Sequence, residues 1–191
     1  RIEANRIELN FHAYNVSEIV TTQVDLFKAF AKRKNLYLRT ELSDDKIYIS
    51  ADEQILRQIL NNLINNALKY TESGGVTISI DKTNSNSTDF ARIRVLDTGI
   101  GIPNDSIHTI FREFRQVSEG FNRHFEGSGL GLTITKRFIK MMNGTIAVDS
   151  VVGKGSIFTL LFPLIEKSES HQENKTTELR RTEEKNNGHD P

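Results

Sequence analysis

The chain has 191 residues, with 25 Lys+Arg and 25 Asp+Glu, so its formal net charge is zero. This balance argues against nucleic acid as a partner and against membrane contact through a basic surface. The lack of cysteine excludes disulfide scaffolds, thiolate metal sites and cysteine nucleophiles.

Composition divides the chain into three parts. Residues 1–8 are polar with helical character, and residues 9–165 hold nearly all of the large apolar side chains. In residues 166–191 the only large apolar residue is Leu179, and such a segment buries too little apolar surface to offset its ordering entropy. We therefore expect one globular domain at 9–165 and a disordered tail or linker at 166–191. Because the chain begins at Arg1 without an initiator methionine, we expect it to be a piece of a longer protein.

Apolar periodicity predicts the elements of the first half of the domain. Alternation indicates strands at residues 9–13, 36–41 and 46–50, the last two joined by a turn at 43–45. Helical spacing indicates a helix capped by Ser17 and a longer helix, capped by Asp52 and ended by Ser73-Gly74-Gly75.

In the second half, the strands are expected in pairs. Residues 76–81 and 90–97 predict a hairpin with a loose polar loop at 82–89, and residues 145–150 and 156–163 predict a closing hairpin around 153–155. Between these hairpins, Pro103 would open a short helix, residues 116–128 are irregular, and a helix at 130–142 would stop at Asn143-Gly144. The pattern predicts an α+β two-layer sandwich, with a mixed sheet of about five strands plus a short hairpin and about three helices on one face.

The long helix carries several amides in its interior. Asn62, Asn66, Lys69 and Tyr70 fall on one face beside the apolar stripe, although asparagine lowers helix propensity. A carboxamide oxygen there could ligate Mg²⁺ while the ammonium meets a phosphate, because nucleotide-bound Mg²⁺ takes few protein ligands. The alternative is a solvated amide face without function.

Two glycine-rich segments follow. Asp97-Thr98-Gly99-Ile100-Gly101-Ile102 ends a predicted strand, where the backbone can approach a flat ligand and the carboxylate can accept from an amine. Gly127-Ser128-Gly129-Leu130-Gly131-Leu132 opens a helix, where backbone amides attract phosphate. Taken singly, the first is also typical of a strand-ending turn and the second of many unrelated helix starts.

The order of these segments is more specific than any one of them. Residues 62–71, 97–102, 111–114, 127–132 and 153–156 closely resemble the N, G1, F, G2 and G3 boxes of sensor histidine kinases. These boxes belong to the ATP-binding catalytic domain of the gyrase, Hsp90, histidine kinase and MutL (GHKL) superfamily. The resemblance covers residues 9–165 and implies a Bergerat-type ATP-binding fold with a mobile ATP lid.

The resemblance also implies a role for each matching residue. Asn66 corresponds to the Mg²⁺ ligand, Lys69 to a phosphate contact, and Tyr70 to a residue that packs on the base and sugar. Asp97 corresponds to the carboxylate that accepts a hydrogen bond from the adenine amine. The other expected nucleotide-binding residues are Asn62, Gly99, Gly101, Ile102, Phe114, Gly127, Ser128, Gly129, Leu130, Gly131 and Ser156. Asn66 and Lys69 are the expected catalytic residues.

Asn62 separates two mechanisms within this superfamily. Members that hydrolyse ATP carry a glutamate four residues before the metal-binding asparagine, where it acts as a general base. Asn62 cannot take a proton, so the resemblance implies a protein-histidine kinase that transfers the γ-phosphoryl group of Mg-ATP. The alternatives are an ATPase of the Hsp90 or mismatch-repair type and a catalytically silent nucleotide-binding or protein-interaction module.

The predicted lid departs from the family pattern. Phe111 and Phe114 resemble the aromatic pair that anchors the lid, although two core aromatics would have the same spacing. The family usually has Glu-Pro between them, whereas this chain has Arg112-Glu113, which puts the lid geometry in question. Within the lid at residues 116–126, we expect Arg123 to be solvated rather than bound to the γ-phosphate.

The five histidines lack the context of a phosphoacceptor, which this family places on a helix before an acidic residue. His12 lies in a predicted strand, and His189-Asp190 lies in the expected tail. The resemblance therefore implies an acceptor on a dimerisation domain absent from this chain, with residues 1–8 as the end of its truncated helix. It further implies a homodimeric parent, a response regulator or receiver domain as partner, and a cytoplasmic location in an inner-membrane sensor protein.

Overall fold

The computed structural model describes residues 8–112 and 131–166. The elements in chain order are β1 His12–Asn15, α1 Val16–Arg33, β2 Tyr37–Leu42, β3 Tyr48–Ala51, α2 Glu53–Lys69, β4 Gly75–Ser85, β5 Thr88–Asp97, α3 Asn104–Ile107, α4 Gly131–Met141, β6 Thr145–Val151 and β7 Gly155–Pro163. Outside these described residues fall residues 1–7 of the predicted helical stub at 1–8, all of the irregular stretch at 116–128 with the lid, and residues 167–191 of the predicted tail at 166–191.

One face of a five-stranded mixed sheet carries the helices. The strand order is β2-β4-β5-β7-β6, in which β2 runs parallel to β4 and the other neighbours are antiparallel. α2 contacts both α1 and α4 and packs on β4 and β5. The inward side chains of the central strands are buried in this layer: Val76, Ile78, Ile80, Ala91, Ile93, Val95, Phe158, Leu160 and Phe162. The predicted α+β two-layer sandwich is confirmed.

α2 forms as its sequence predicts. The Asp52 carboxylate caps it by accepting from the Ile55 N–H at 3.1 Å, and its second oxygen accepts from the Asn10 N–H at 2.9 Å. These hydrogen bonds hold the pKa of Asp52 below its usual value, and the bond from the Asn10 N–H contributes most to this lowering. The buried stripe consists of Leu56, Ile59, Leu60, Leu63, Ile64, Ala67 and Leu68. The helix ends at Lys69, earlier than the predicted stop at Ser73-Gly74-Gly75, and the Thr71 hydroxyl donates to the Ala67 carbonyl at 2.7 Å.

The turn predicted at 43–45 does not join two neighbouring strands. β2 pairs with β4, and β3 pairs antiparallel with β1 in a separate two-stranded sheet. The Ser43 N–H donates to the Ile80 carbonyl at 3.0 Å, so the chain continues along β4 after β2 instead of folding back on itself. Alternation identifies strands but does not identify their partners.

The start of the domain also differs from the prediction. The first strand begins at His12 rather than Leu9. Asn15, not Ser17, caps α1, because the Asn15 side chain accepts from the Ser17 N–H at 3.2 Å.

The predicted loose loop at 82–89 is wrong as well. β4 and β5 remain paired as far as Ser85 and Thr88, and a two-residue turn joins them. Both turn residues, Asn86 and Ser87, have positive φ (49° and 62°), as expected where a tight turn must match the strand twist. This end of the hairpin is almost entirely exposed, so its strands are polar on both faces.

Candidate functional site

The last turn of α2 brings together three of the predicted residues. Asn66 and Lys69 are half-buried, and Tyr70 is 36% exposed. The Lys69 ammonium lies 5.3 Å from the centre of the Tyr70 ring, and burial raises the pKa of the Tyr70 phenol. Among the described residues the Asn66 carboxamide has no hydrogen-bond partner, so its oxygen is available to a ligand.

Asp97 ends β5 with a half-buried carboxylate. Its Oδ1 accepts from the Gly99 N–H at 2.8 Å and from the Ser156 N–H at 3.3 Å, across the Asp97–Ser156 pair of β5 and β7. Burial raises the pKa of the Asp97 carboxyl, and these two N–H donors oppose the rise. Within the described parts of the chain both bonds use the same oxygen, which leaves Oδ2 free to accept from a ligand.

The segment after Asp97 is fastened to the end of α2. The Ile100 N–H donates to the Tyr70 carbonyl at 3.1 Å. A Cβ at Gly99 would lie 2.4 Å from that carbonyl oxygen and 2.8 Å from Asp97 Oδ1. Glycine is therefore required at position 99 for β5 and α2 to meet. This contact brings Asp97 and Tyr70 together at the C-terminal end of β5.

The same segment also contacts the end of β6, beside the start of β7. The Ile102 N–H donates to the Ser150 hydroxyl at 2.8 Å, and this hydroxyl lies 3.0 Å from that of Ser156. Gly101 has φ of 71°, and a Cβ there would lie 2.2 Å from the Val151 carbonyl oxygen. Ile102 is half-buried against the core. The backbone of 97–102 is thus held from both sides.

α4 approaches the site at its first residue. A Cβ at Gly131 would lie 2.5 Å from Asn62 Oδ1, while Asn62 Nδ2 donates to the buried Thr135 hydroxyl at 2.8 Å. Asn62 therefore joins α2 to α4, one turn before Asn66. Phe111 is half-buried beside the core and lies below α4, where Thr133 donates to its carbonyl at 3.1 Å.

The remaining predicted site residues fall outside the described residues. They are Phe114, Gly127, Ser128, Gly129 and Leu130, together with Arg123 of the predicted lid.

Some supporting residues escape a search for motifs. Ser150 and Thr135 hold site segments as described above, and the Thr98 hydroxyl accepts from the Gly75 N–H at 3.0 Å and donates to the Ser73 carbonyl at 2.8 Å. Lys34 contacts the end of α2. Thr98 belongs to the Asp97–Ile102 motif, whereas Ser150, Thr135 and Lys34 lie in other segments than the residues they contact, so no local spacing could reveal these three.

The side chains at this site suit a metal ion that takes most of its ligands from water and phosphate rather than from the protein. No group of three or more His, Asp or Glu residues in the described part of the chain could hold a metal by itself. The Asn66 carboxamide, which has no hydrogen-bond partner among the described residues, lies one turn before Lys69 on α2. This fits Mg²⁺, which usually keeps several waters and phosphate oxygens when it binds with a nucleotide.

No helix among the described residues combines the length and the apolar character that a membrane span needs.

Comparison with known proteins agrees with this geometry. Residues 51–166 match the family described as histidine kinase-, DNA gyrase B-, and HSP90-like ATPase. The sensor histidine kinase RcsC of Escherichia coli K12 is 34% identical over 86% of this chain, and the sensory/regulatory protein RpfC of Xanthomonas campestris is 33% identical over 85%. The chain spans only 17% and 23% of the length of these two relatives.

Solved structures give the same result. Full-length ShkA in complex with AMPPNP is 31% identical with a TM-score of 0.74, over 86% of this chain and 33% of that one. The catalytic domain of histidine kinase ThkA is 25% identical with a TM-score of 0.67, over 81% of this chain and 96% of that one. The resemblance drawn from the five boxes is confirmed, and the chain belongs to the family of histidine kinase-, DNA gyrase B- and HSP90-like ATPases.

Proposed function

We propose that this chain is the catalytic and ATP-binding domain of a sensor histidine kinase. It binds Mg-ATP and transfers the γ-phosphoryl group to a histidine on a dimerisation domain outside this chain. The observation that carries the proposal is the meeting of the Asp97 carboxylate with the end of α2 through Gly99 and the Ile100–Tyr70 hydrogen bond. This arrangement offers a base-recognising acceptor next to an amide, a cation and an aromatic ring.

The nucleotide would lie at the C-terminal end of β5, next to the end of α2. Asp97 Oδ2 accepts from the adenine amine, the backbone at Gly99 and Gly101 lies under the base, and Tyr70 covers the base and sugar. Lys69 neutralises phosphate charge. The glycines at 127, 129 and 131 offer backbone N–H groups to the phosphates, as helix starts commonly do.

Asn66 would hold Mg²⁺ through its carboxamide oxygen. When bound, the metal would neutralise part of the phosphate charge. The chain itself contributes positioning and cationic stabilisation, which account for most of the catalysis in phosphoryl transfer.

Asn62 supports transfer to a protein over hydrolysis. Hydrolysis needs a base that takes a proton from water. The Asn62 amide group has no such capacity, and its NH₂ group is committed to Thr135 at 2.8 Å. The acceptor must then be supplied by another domain.

The partners follow from the proposed reaction. The chain would work beside its own dimerisation domain in a homodimeric parent, and the phosphoryl group would pass on to a response regulator or receiver domain. The relatives RcsC and RpfC are named as sensory proteins, which supports a sensory role for the parent, and we propose that the chain is the cytoplasmic part of an inner-membrane sensor.

Calorimetric titration tests the proposal most directly. The unmodified chain should bind ATP and ADP in the presence of Mg²⁺, bind ATP more weakly in excess EDTA, and bind GTP poorly because guanine presents a carbonyl where adenine has an amine. Equal affinity for ATP and GTP would refute the role of Asp97. No binding of any nucleotide would favour a catalytically silent interaction module.

A further inference from the structure

We propose that Lys34 is a positioning residue for the nucleotide site, although it lies outside all five family boxes. The proposal rests on the proposed function, because the contacts that Lys34 supports are those assigned to ATP. Lys34 follows α1 directly and is half-buried. Its ammonium donates to three backbone carbonyls of one turn, those of Leu68 at 2.5 Å, Lys69 at 3.3 Å and Thr71 at 3.0 Å.

The charge and the donor count of lysine suit this place. The last carbonyls of an α-helix have no partner within the helix and carry partial negative charge. An ammonium has three donors and no acceptor, so it can satisfy three converging carbonyls at once. The end of α1 fixes the lysine in turn, because the Lys34 N–H bonds to the carbonyls of Phe30 and Ala31 at 3.2 and 3.1 Å.

Lys34 and the Ile100 N–H together donate to every backbone carbonyl from residue 68 to 71. The Tyr70 carbonyl, which Lys34 does not reach, accepts from the Ile100 N–H at 3.1 Å on the other side of the chain. The backbone that carries the Lys69 and Tyr70 side chains is thus clamped between α1 and the segment that follows Asp97. Its orientation decides where the cation and the ring meet the nucleotide.

The decisive variant is Lys34→Met, which keeps most of the side-chain length and removes the charge and the donors. Lys32→Met is the matched control, because Lys32 lies in the same last turn of α1, is exposed, and makes none of these bonds. Both variants are measured as the full chain, well below their unfolding temperatures. Lys34→Gln, which retains an amide donor, is the second variant.

Two readouts separate positioning from general stability. In Lys34→Met, amide hydrogen exchange should become about tenfold faster at Tyr70 and Ile100, while exchange at Ile93 and Val95 in β5 stays unchanged. The Kd for Mg-ATP should rise about five- to tenfold, since small displacements of binding groups cost much of their contribution. Lys34→Gln should fall between Lys34→Met and the unmodified chain, and Lys32→Met should change neither readout.

The outcomes are distinct from those of the proposed function. Unchanged exchange and affinity in a folded Lys34→Met or Lys34→Gln chain would overturn the inference while leaving the proposed function intact. A uniform rise in exchange, or loss of the fold in both variants, would make Lys34 a general determinant of stability and would also overturn it. If the unmodified chain binds no ATP, the proposed function fails, and the exchange measurement still decides whether Lys34 orders this turn.

Discussion

At the scale of single residues, Asp97 divides its work between its two oxygens. Oδ1 accepts from the N–H groups of Gly99 and Ser156, which joins the end of β5 to the backbone that follows it and to β7. Oδ2 accepts no hydrogen bond from the described residues and is therefore available to a ligand. Burial raises the pKa of this carboxyl, so the ligand-free protein holds the carboxylate at a cost that a donor from adenine would offset.

This division makes Asp97→Asn a clean test of base recognition. The Asn carbonyl oxygen can keep both N–H bonds, while its NH₂ group faces the adenine amine with a donor instead of an acceptor. We expect the Kd for ATP to rise because the binding free energy weakens by about 1–3 kcal/mol, the usual cost of an unmatched buried polar group. Calorimetry measures this change, and the melting temperature should stay within a few degrees of the unmodified chain.

Asp149→Asn provides the control for that variant, because Asp149 is an exposed residue of β6. It removes the same charge and should leave ATP affinity unchanged. An Asp97→Asn chain that bound ATP normally would show that the carboxylate does not recognise the base.

Asn66 tests the metal in the same way. Asn66→Ala removes the carboxamide oxygen, so phosphotransfer should be abolished and ATP affinity should lose its dependence on Mg²⁺, as titration with and without EDTA would report. The fold should survive, because among the described residues this side chain has no hydrogen-bond partner to lose. Asn65→Ala, at the exposed neighbouring position, should affect neither property. Unfolding of Asn66→Ala would instead identify Asn66 as a structural residue.

At the scale of elements, the local sequence predicts a helix correctly where residues of that same segment determine its start and end. Asp52 and the apolar stripe determine α2, and Asn143 with positive φ ends the region of α4 as predicted. Pairing was different, since β2 finds its partner in β4, more than thirty residues later, and β3 finds its partner in β1. Periodicity carries no information about which strands become neighbours.

The contact between α2 and α4 gives a prediction at this scale. Gly131→Ala places a methyl group 2.5 Å from Asn62 Oδ1, and the bond to Thr135 restrains Asn62 from moving aside. We expect a lower melting temperature and weaker ATP binding, although alanine normally favours a helix over glycine by about 1 kcal/mol. In an Asn62→Ala background the clash is removed, so the same change should raise the melting temperature. Thermal unfolding of the four chains measures this reversal of sign, and its absence would contradict the contact.

At the scale of the whole molecule, the fold gathers a site from distant segments. The end of α2, the end of β5 and the start of α4 come together because α2 packs on β5 and contacts α4. The motifs identified the residues that face the ligand. They could not identify Lys34, Ser150 or Thr135, whose partners lie far away in sequence and which come near the site only through the topology.

The positions of His12 and Asn62 bear on where the acceptor of the proposed reaction comes from. His12 is an exposed residue of β1, a strand that pairs with β3 and not with any element of the site. Asn62 stands where a hydrolase would carry its general base, a group that typically contributes about 10²–10⁴-fold to the rate. The chain should therefore hold ATP without an acceptor, whether protein or activated water.

We accordingly expect the isolated chain neither to label itself nor to turn over ATP appreciably. Adding a separate histidine-bearing dimerisation domain with radiolabelled ATP should place an acid-labile, base-stable label on the histidine of that domain. The same mixture with Asn66→Ala should remain unlabelled, which excludes a contaminating kinase. Rapid ATP hydrolysis by the unmodified chain would show that some other group activates water in spite of Asn62. Acid-labile label on His12 or His124 would show that the chain contains its own acceptor.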